Sequence, residues 1–307
     1  MSNHKVSDVL KITIRLLLGV FLIGTAVLKL LSIDSLEVYI YSFGIVNYTW
    51  TTLFSRLLIF IELIAGTSFI FKIYYRQIWW LTLLMMAGFT LFLVYAVIFR
   101  NDSNCHCFGD LIELDPTQSI LKNILVLALL FVIRKEQSHN YKPVLRKWFL
   151  AGTLAVSFVI SFVLLPMDVL YNMIYSEKEE INTVAFYESL SDSTYVDLQQ
   201  GRYLINYALA GCKYCRIGAE KLTLMVDRHQ IPHDRVKFVV GGNEEAISKF
   251  IESTGTSDYE HWKISIPKLM SITYGKFPLY IIIEDGKVVK AGDFRILNDN
   301  IIMSLVH

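Results

Sequence analysis

The sequence predicts two parts in series: an α-helical membrane bundle, then an α/β domain. Three observations carry this. Hydrophobic residues make up 54% of the 307 and mean hydropathy is +0.45, but long apolar runs dominate from Ile12 to Leu165, while the chain after Tyr175 has ordinary globular composition. Five of those runs approach the length needed to cross a bilayer. Beyond a polar linker at Ser176 to Glu180, the periodicity changes to strands alternating with helices. A length of 307 residues fits two domains at about 150 residues each. Lys+Arg (29) and Asp+Glu (28) nearly cancel to a net charge of +1. Together with the hydrophobicity, that balance excludes a disordered chain and a protein that coats nucleic acid.

A helix rising about 1.5 Å per residue needs about 20 apolar residues to cross the hydrocarbon layer. The five candidates are Ile12 to Leu31, Leu53 to Phe71, Ile78 to Phe99, Ser119 to Ile133 (the shortest) and Trp148 to Leu165. None contains a proline, so each reads as an uninterrupted helix. The first lacks an A-x-A cleavage site and another span soon comes after it, which argues against a cleaved signal peptide. Lys and Arg prefer short cytoplasmic connections. Lys5, Lys11 and Arg15 lie before or at the start of span one, Lys72 and Arg76 between two and three, and Arg134, Lys135, Lys142, Arg146 and Lys147 between four and five. The connection between spans three and four carries Asp102, Asp110, Glu113 and Asp115 against Arg100 alone. This predicts a cytoplasmic N-terminus, with that loop and everything after Leu165 on the outer face.

In the second half, Tyr203 to Leu209 reads as a buried strand running into Ala210-Gly211-Cys212-Lys213-Tyr214-Cys215, and then a helix over Arg216 to His229. Next come a strand at Val236 to Val240, a helix at Asn243 to Glu252, a hairpin of Leu279 to Glu284 with Lys287 to Ala291 turning at Asp285-Gly286, and a helix at Leu297 to Val306. A cysteine at a strand-to-helix junction has its sulfur near helix N–H groups and the positive end of the helix dipole, which favours thiolate, the attacking species. Cys215, one turn on, is placed to resolve a mixed disulfide, and Lys213 adds positive potential. A structural disulfide and half of a zinc site stand beside this redox reading. The nearest further zinc ligands, His229 and His233, lie beyond the helix. The order of elements over Ser189 to His307 resembles the thioredoxin-like family, especially its membrane-anchored TlpA-like branch. That resemblance implies a cis proline opposite the active site at Pro278. The sequence departs from the thioredoxin pattern in lacking a Trp before the first cysteine and a Gly-Pro between the two.

The other two cysteines form a Cys-x-Cys pair in Asn104-Cys105-His106-Cys107-Phe108-Gly109-Asp110, just outside span three. A disulfide between residues two apart closes a small ring, which suits exchange better than stapling. His106 is either a proton shuttle or a polar loop residue, and the metal alternative for Cys-His-Cys is a soft ion such as Cu(I). Glu62 falls near the middle of span two. A buried ionisable group there marks a functional site or pairs with Lys29 or Arg56 to hold the bundle. Met85 and Met86 read as lipid-facing or core filler. With Arg15, Gly24 and Lys29 in span one and Glu62 and Gly66 in span two, the motif resembles the DoxX superfamily over Val6 to Arg134, and its Cys-x-Cys-Phe-Gly matches the methylamine utilisation protein MauE branch. The resemblance implies a four-helix membrane bundle with a thiol-redox role. The expected domains are therefore residues 1–135, a DoxX/MauE-like domain; 136–180, a cytoplasmic loop, fifth spanning helix and linker; and 181–307, an extracytoplasmic thioredoxin-like domain.

The function expected is that of a membrane-bound thiol–disulfide oxidoreductase in the bacterial inner membrane. It would relay disulfides between Cys212/Cys215 and Cys105/Cys107 during maturation of extracytoplasmic thiol proteins, with amine metabolism suggested by the MauE likeness. The predicted inner face has no cysteine, so electrons would leave to a membrane quinone or another protein. A bundle fused to a thioredoxin-like domain shares that architecture with the vitamin K epoxide reductase style of oxidase. The alternatives are a biogenesis scaffold whose bundle only positions the redox domain, and a transporter or copper handler. Lipid is an expected partner and nucleic acid is not; no bound metal is expected, and no phosphate-binding glycine motif is present.

Overall fold

The computed structural model describes residues 2–100, 105, 114–134, 143–164, 167–168, 181–191 and 198–306. The chain divides into one unit comprising Met1–Ile40 and Thr52–Pro166, and a second comprising Tyr41–Thr51 and Met167–His307.

The first unit is helical: α1 (Ser2–Leu31), α2 (Ile33–Tyr41), α3 (Tyr48–Phe71), α4 (Tyr75–Phe99), α5 (Pro116–Ile133) and α6 (Pro143–Phe158), the last continuing as a π-helical stretch over Val159–Val163. Among the described residues, five segments are long and apolar enough to cross a membrane: Asp8–Leu31, Tyr48–Phe71, Tyr75–Phe99, Pro116–Ile133 and Val144–Val163. They are the five runs read from the sequence, most of them extended by a few residues. Nine-residue α2 is an addition. It is too short to span, and its Asp34 and Glu37 break the apolar run that would have revealed it. Glu37 is fully buried, pairs with Arg56 and accepts from Ser55 Oγ at 3.0 Å.

Polar groups in this unit satisfy helix ends. Arg15 donates to the carbonyls of Phe69 and of Ile70 (2.9 Å), a cation at the negative end of α3. Tyr75 Oη and Trp79 Nε1 donate at 2.8 Å to the Ile133 and Leu130 carbonyls, which lie in the last turn of α5 and have no partner within the helix. The other end of α5 carries an Asp115/Gln118 capping box with Pro116 in the first turn. Helices α1 and α3 cross at glycines: a Cβ on Gly66 would lie 2.7 Å from the Gly19 carbonyl oxygen, an approach that only small residues permit.

The second unit holds α7 (Thr183–Ser191), β1 (Arg202–Leu209), α8 (Lys213–Arg228), β2 (Val236–Gly241), α9 (Glu244–Thr254), β3 (Glu260–Ile264), α10 (Ile266–Thr273), β4 (Leu279–Glu284), β5 (Lys287–Gly292) and α11 (Asp299–Met303). The sheet order is β3-β2-β1-β4-β5. β1 runs parallel to β2 (Leu204 opposite Val236) and antiparallel to β4 (Ile205 opposite Ile281). Alternate residues feed two layers: Leu204, Ala208, Phe238 and Ile282 pack with Leu222 and Met225 of α8, while Ile205, Tyr207, Val239 and Ile281 pack with Phe186, Leu269 and Ile272 of α7 and α10. This is the thioredoxin-like α/β architecture.

Several elements differ from the sequence reading. Strand β3 has one buried residue, Trp262, in EHWKI, which is too weak a pattern to register. Pro267 occupies the first turn of α10, where no N–H is needed. The last helix starts at Asp299 because Phe294–Ile296 form a 3-10 turn and Asn298 caps α11, accepting from Ile301 N–H at 3.0 Å. The Tyr41–Thr51 segment is held by Asp299, which accepts from Tyr41 Oη at 2.9 Å and Tyr48 N–H at 3.1 Å. Arg228 secures it further by donating to the carbonyls of Val46 (2.6 Å) and Gly44 (2.9 Å).

Candidate functional site

β1 ends at Leu209, and the chain turns through Gly211 to make Cys212 the N-cap of α8. Extended backbone at Cys212 (φ −83°, ψ 125°) aims its side chain back over the first turn, where Sγ accepts from Cys215 N–H at 3.4 Å. Cys215 is fully buried and its Sγ accepts from Leu209 N–H at 3.4 Å. Both carry free thiols. The hydrogen bond from the Cys215 side chain, reinforced by the N–H groups of Cys215 and Tyr214 and the charge of Arg216, outweighs partial burial and pushes the Cys212 thiol down to about 6. Cys215 moves the opposite way, raised by that same hydrogen bond and by burial. One thiol is therefore poised as a partly exposed thiolate and the other is kept protonated behind it, as nucleophilic attack and then resolution require.

The predicted helix start at Arg216 moves back to Lys213, so that Cys212 caps the helix itself. Lys213 is exposed, and Arg216, one turn further on, adds a charge that lowers Cys212. The Phe277–Pro278 peptide bond is cis. Pro278 packs beside α8 at Gly218, its Cγ 3.4 Å from where a Gly218 Cβ would stand. Gly218, three residues beyond Cys215, is a site residue that the sequence reading misses, although a glycine inside a helical pattern signals close packing. Tyr214, exposed beside the pair, stacks on Phe294 with ring centroids 6.4 Å apart.

In the first unit, Cys105 is disulfide-bonded and fully buried. Its Sγ lies 2.9 Å from Ser119 Oγ, and its N–H donates to the Leu114 carbonyl at 3.0 Å. Cys107 and His106 lie outside the described residues. Glu62 is buried and paired with Lys29, whose Nζ is 2.7 and 2.9 Å from its two oxygens; Thr25 Oγ1 adds a bond at 3.4 Å. Arg56, the alternative partner, is taken by Glu37. Met86 belongs to the apolar core, with Met85 against it. Among the described residues no three His, Cys, Asp or Glu side chains converge to hold a metal. His229 pairs with Asp299 at 2.8 Å, and His233 lies 3.3 Å from Asp227.

Residues 7–134 match the family described as methylamine utilisation protein MauE. Protein TlpB of Flavobacterium psychrophilum is 27% identical over 320 aligned residues, covering 85% of this chain and 84% of that protein. No solved structure matches the chain. These likenesses, with five spanning helices and a mixed sheet bearing Cys-x-x-Cys at a helix start, make this a membrane thiol–disulfide-related protein: a MauE-type membrane domain and then a C-terminal thioredoxin-like domain.

Proposed function

We propose that the protein is a thiol–disulfide oxidoreductase of a bacterial inner membrane, whose thioredoxin-like domain exchanges disulfides with extracytoplasmic thiol proteins and with the Cys105/Cys107 pair. The observation that carries this is the division of labour at α8: Cys212 lowered to about 6 and partly exposed, Cys215 raised and buried. In the exchange, the Cys212 thiolate attacks a client disulfide and one client sulfur leaves. Cys215 then attacks Cys212 Sγ and the second client sulfur leaves, so that the client gains two electrons and the pair loses them; the reverse sequence oxidises a client dithiol. The bias of Lys and Arg toward alternate connections supports an outer position for both cysteine pairs. The MauE likeness makes enzymes of amine metabolism the first clients to test.

Within the same reading, a membrane quinone, if bound, would supply the two-electron acceptor for the Cys105/Cys107 pair, an assignment motivated by the absence of cysteine from the predicted inner face. One observation supports such a group. Asn123, one turn beyond Ser119 on α5, is fully buried with neither end of its amide hydrogen-bonded, and a quinone supplies both an acceptor and, once reduced, a donor. Purified protein supplied with a dithiol client should reduce a soluble quinone analogue, and Asn123→Leu should slow this; failure of any analogue to turn over argues against it.

A second reading, the scaffold, is favoured by one observation: Cys105 is fully buried. Its signature is undiminished client maturation in a Cys105→Ser/Cys107→Ser variant, whereas the relay predicts loss.

A further inference from the structure

Resolution by Cys215 raises a problem that the two thiols do not solve. Cys215 is fully buried, so its sulfur becomes a thiolate away from water, where an unassisted charge is expensive. The donor that stabilises it in the resting state is Leu209 N–H at 3.4 Å. While Cys212 is tied up in a mixed disulfide, it offers Cys215 no thiolate to share a proton with.

The sheet presents a further donor on the same side. Asn206 and Tyr280 are direct cross-strand partners on β1 and β4, and Tyr280 lies in the apolar cluster that contains Cys215 and the buried face of α8. Both side chains are fully buried. Asn206 Nδ2 donates to Tyr280 Oη at 3.2 Å, while Asn206 Oδ1 has no partner. The phenol oxygen is thus held as an acceptor, and its own O–H remains available to donate.

The hydroxyl reaches α8 because residue 218 has no side chain. A Cβ there would lie 2.5 Å from Tyr280 Oη and 2.9 Å from Phe294 Cβ. Gly218 is three residues beyond Cys215, hence on the same face of α8. Burial and the charges of Cys215, Asp293 and Cys212 all hold the Tyr280 hydroxyl in its protonated form, so it stays a donor at any working pH.

We infer that Tyr280 assists the resolving step directly, its hydroxyl donating to the Cys215 sulfur as that sulfur becomes a thiolate. Asn206 aims the hydroxyl and Gly218 admits it. In the step itself the Cys212–client S–S bond breaks and the Cys212–Cys215 S–S bond forms. The client sulfur leaves with the electron pair and takes up the proton that Cys215 gave up. This inference rests on reading Cys212 and Cys215 as an exchange pair.

The test uses the full-length protein in detergent with dithiobis(nitrobenzoate), which releases one coloured thiolate on attack by Cys212 and a second on resolution by Cys215. In Tyr280→Phe the first release stays within about twofold of wild type. The second slows about tenfold, the loss expected for one hydrogen bond to a charged group, and its pH profile moves upward. Asn206→Leu, which leaves the hydroxyl in place but unheld, slows the second release by a smaller factor. An unaltered second release in both variants, in rate and in pH profile, overturns the role of Tyr280. If wild type itself gives no second release, the exchange-pair reading is overturned with it.

Discussion

Lys29 Nζ lies 2.7 Å from Glu62 Oε1, joining α1 to α3 through an ion pair whose side chains are 3% and 7% exposed. A buried pair of this kind contributes little against an apolar replacement, but removing one partner strands the other charge and costs about 3–5 kcal/mol. Lys29→Met and Glu62→Met should each lower the unfolding temperature of the purified protein in detergent, and the double variant should regain most of the loss. Single variants as stable as wild type would show that the pair does not hold the bundle.

The same helices meet at Gly19 and Gly66, where a Cβ would stand 2.7–2.8 Å from the facing carbonyl oxygen. Gly66→Ala should destabilise by about 1–3 kcal/mol through forced separation of the backbones. Gly24→Ala, where nothing lies within 4 Å, should stay within about 0.5 kcal/mol of wild type. Denaturant unfolding of both variants side by side decides this, and equal losses would contradict the crossing.

In the second unit, fully buried Lys221 donates to Asp168 Oδ2 at 2.9 Å and to the Phe294 carbonyl at 3.0 Å, with its ammonium 3.8 Å from the Tyr48 ring centroid. Asp168→Asn removes the compensating charge and should cost about 3–5 kcal/mol. Hydrogen exchange should show faster opening of α8 in this variant, and unchanged protection would mean that the ring and carbonyl suffice.

The shift at Cys212 fixes a pH dependence. Its folded value of about 6 lies below the ordinary thiol value of 9.0, so the thiolate's contribution to the reduced domain is complete above about pH 9. It declines as pH falls and is lost below about 6. Alkylation by iodoacetamide should show a single reactive thiol with a midpoint near 6, moved upward in Arg216→Gln. A midpoint at the ordinary thiol value would contradict the site geometry.

How far these features can be read in advance depends on their range. The five spans and the strand–Cys-x-x-Cys–helix unit are local patterns, and both are legible in the sequence. The site's finer structure is not, because it is made by contacts distant in sequence. Arg216 adds to the lowering of Cys212, behind the hydrogen bonds of the first turn, because of where a helical turn puts it. Tyr280 reaches α8 through its place opposite Asn206 on β1 and the missing side chain at Gly218. The Tyr41–Thr51 segment joins the second unit through Asp299, some 250 residues away, with no motif to announce it. Glu62 carries two readings in sequence, and the structure supplies Lys29 as its partner.

The most direct test of the central claim is acid-quenched thiol trapping of Cys215→Ala in native membranes, with mass spectrometry of whatever stays bound to Cys212. With resolution blocked, Cys212 should accumulate in mixed disulfides with extracytoplasmic thiol proteins and with Cys105 or Cys107. Cys212 recovered entirely as an unlinked thiol would contradict the account.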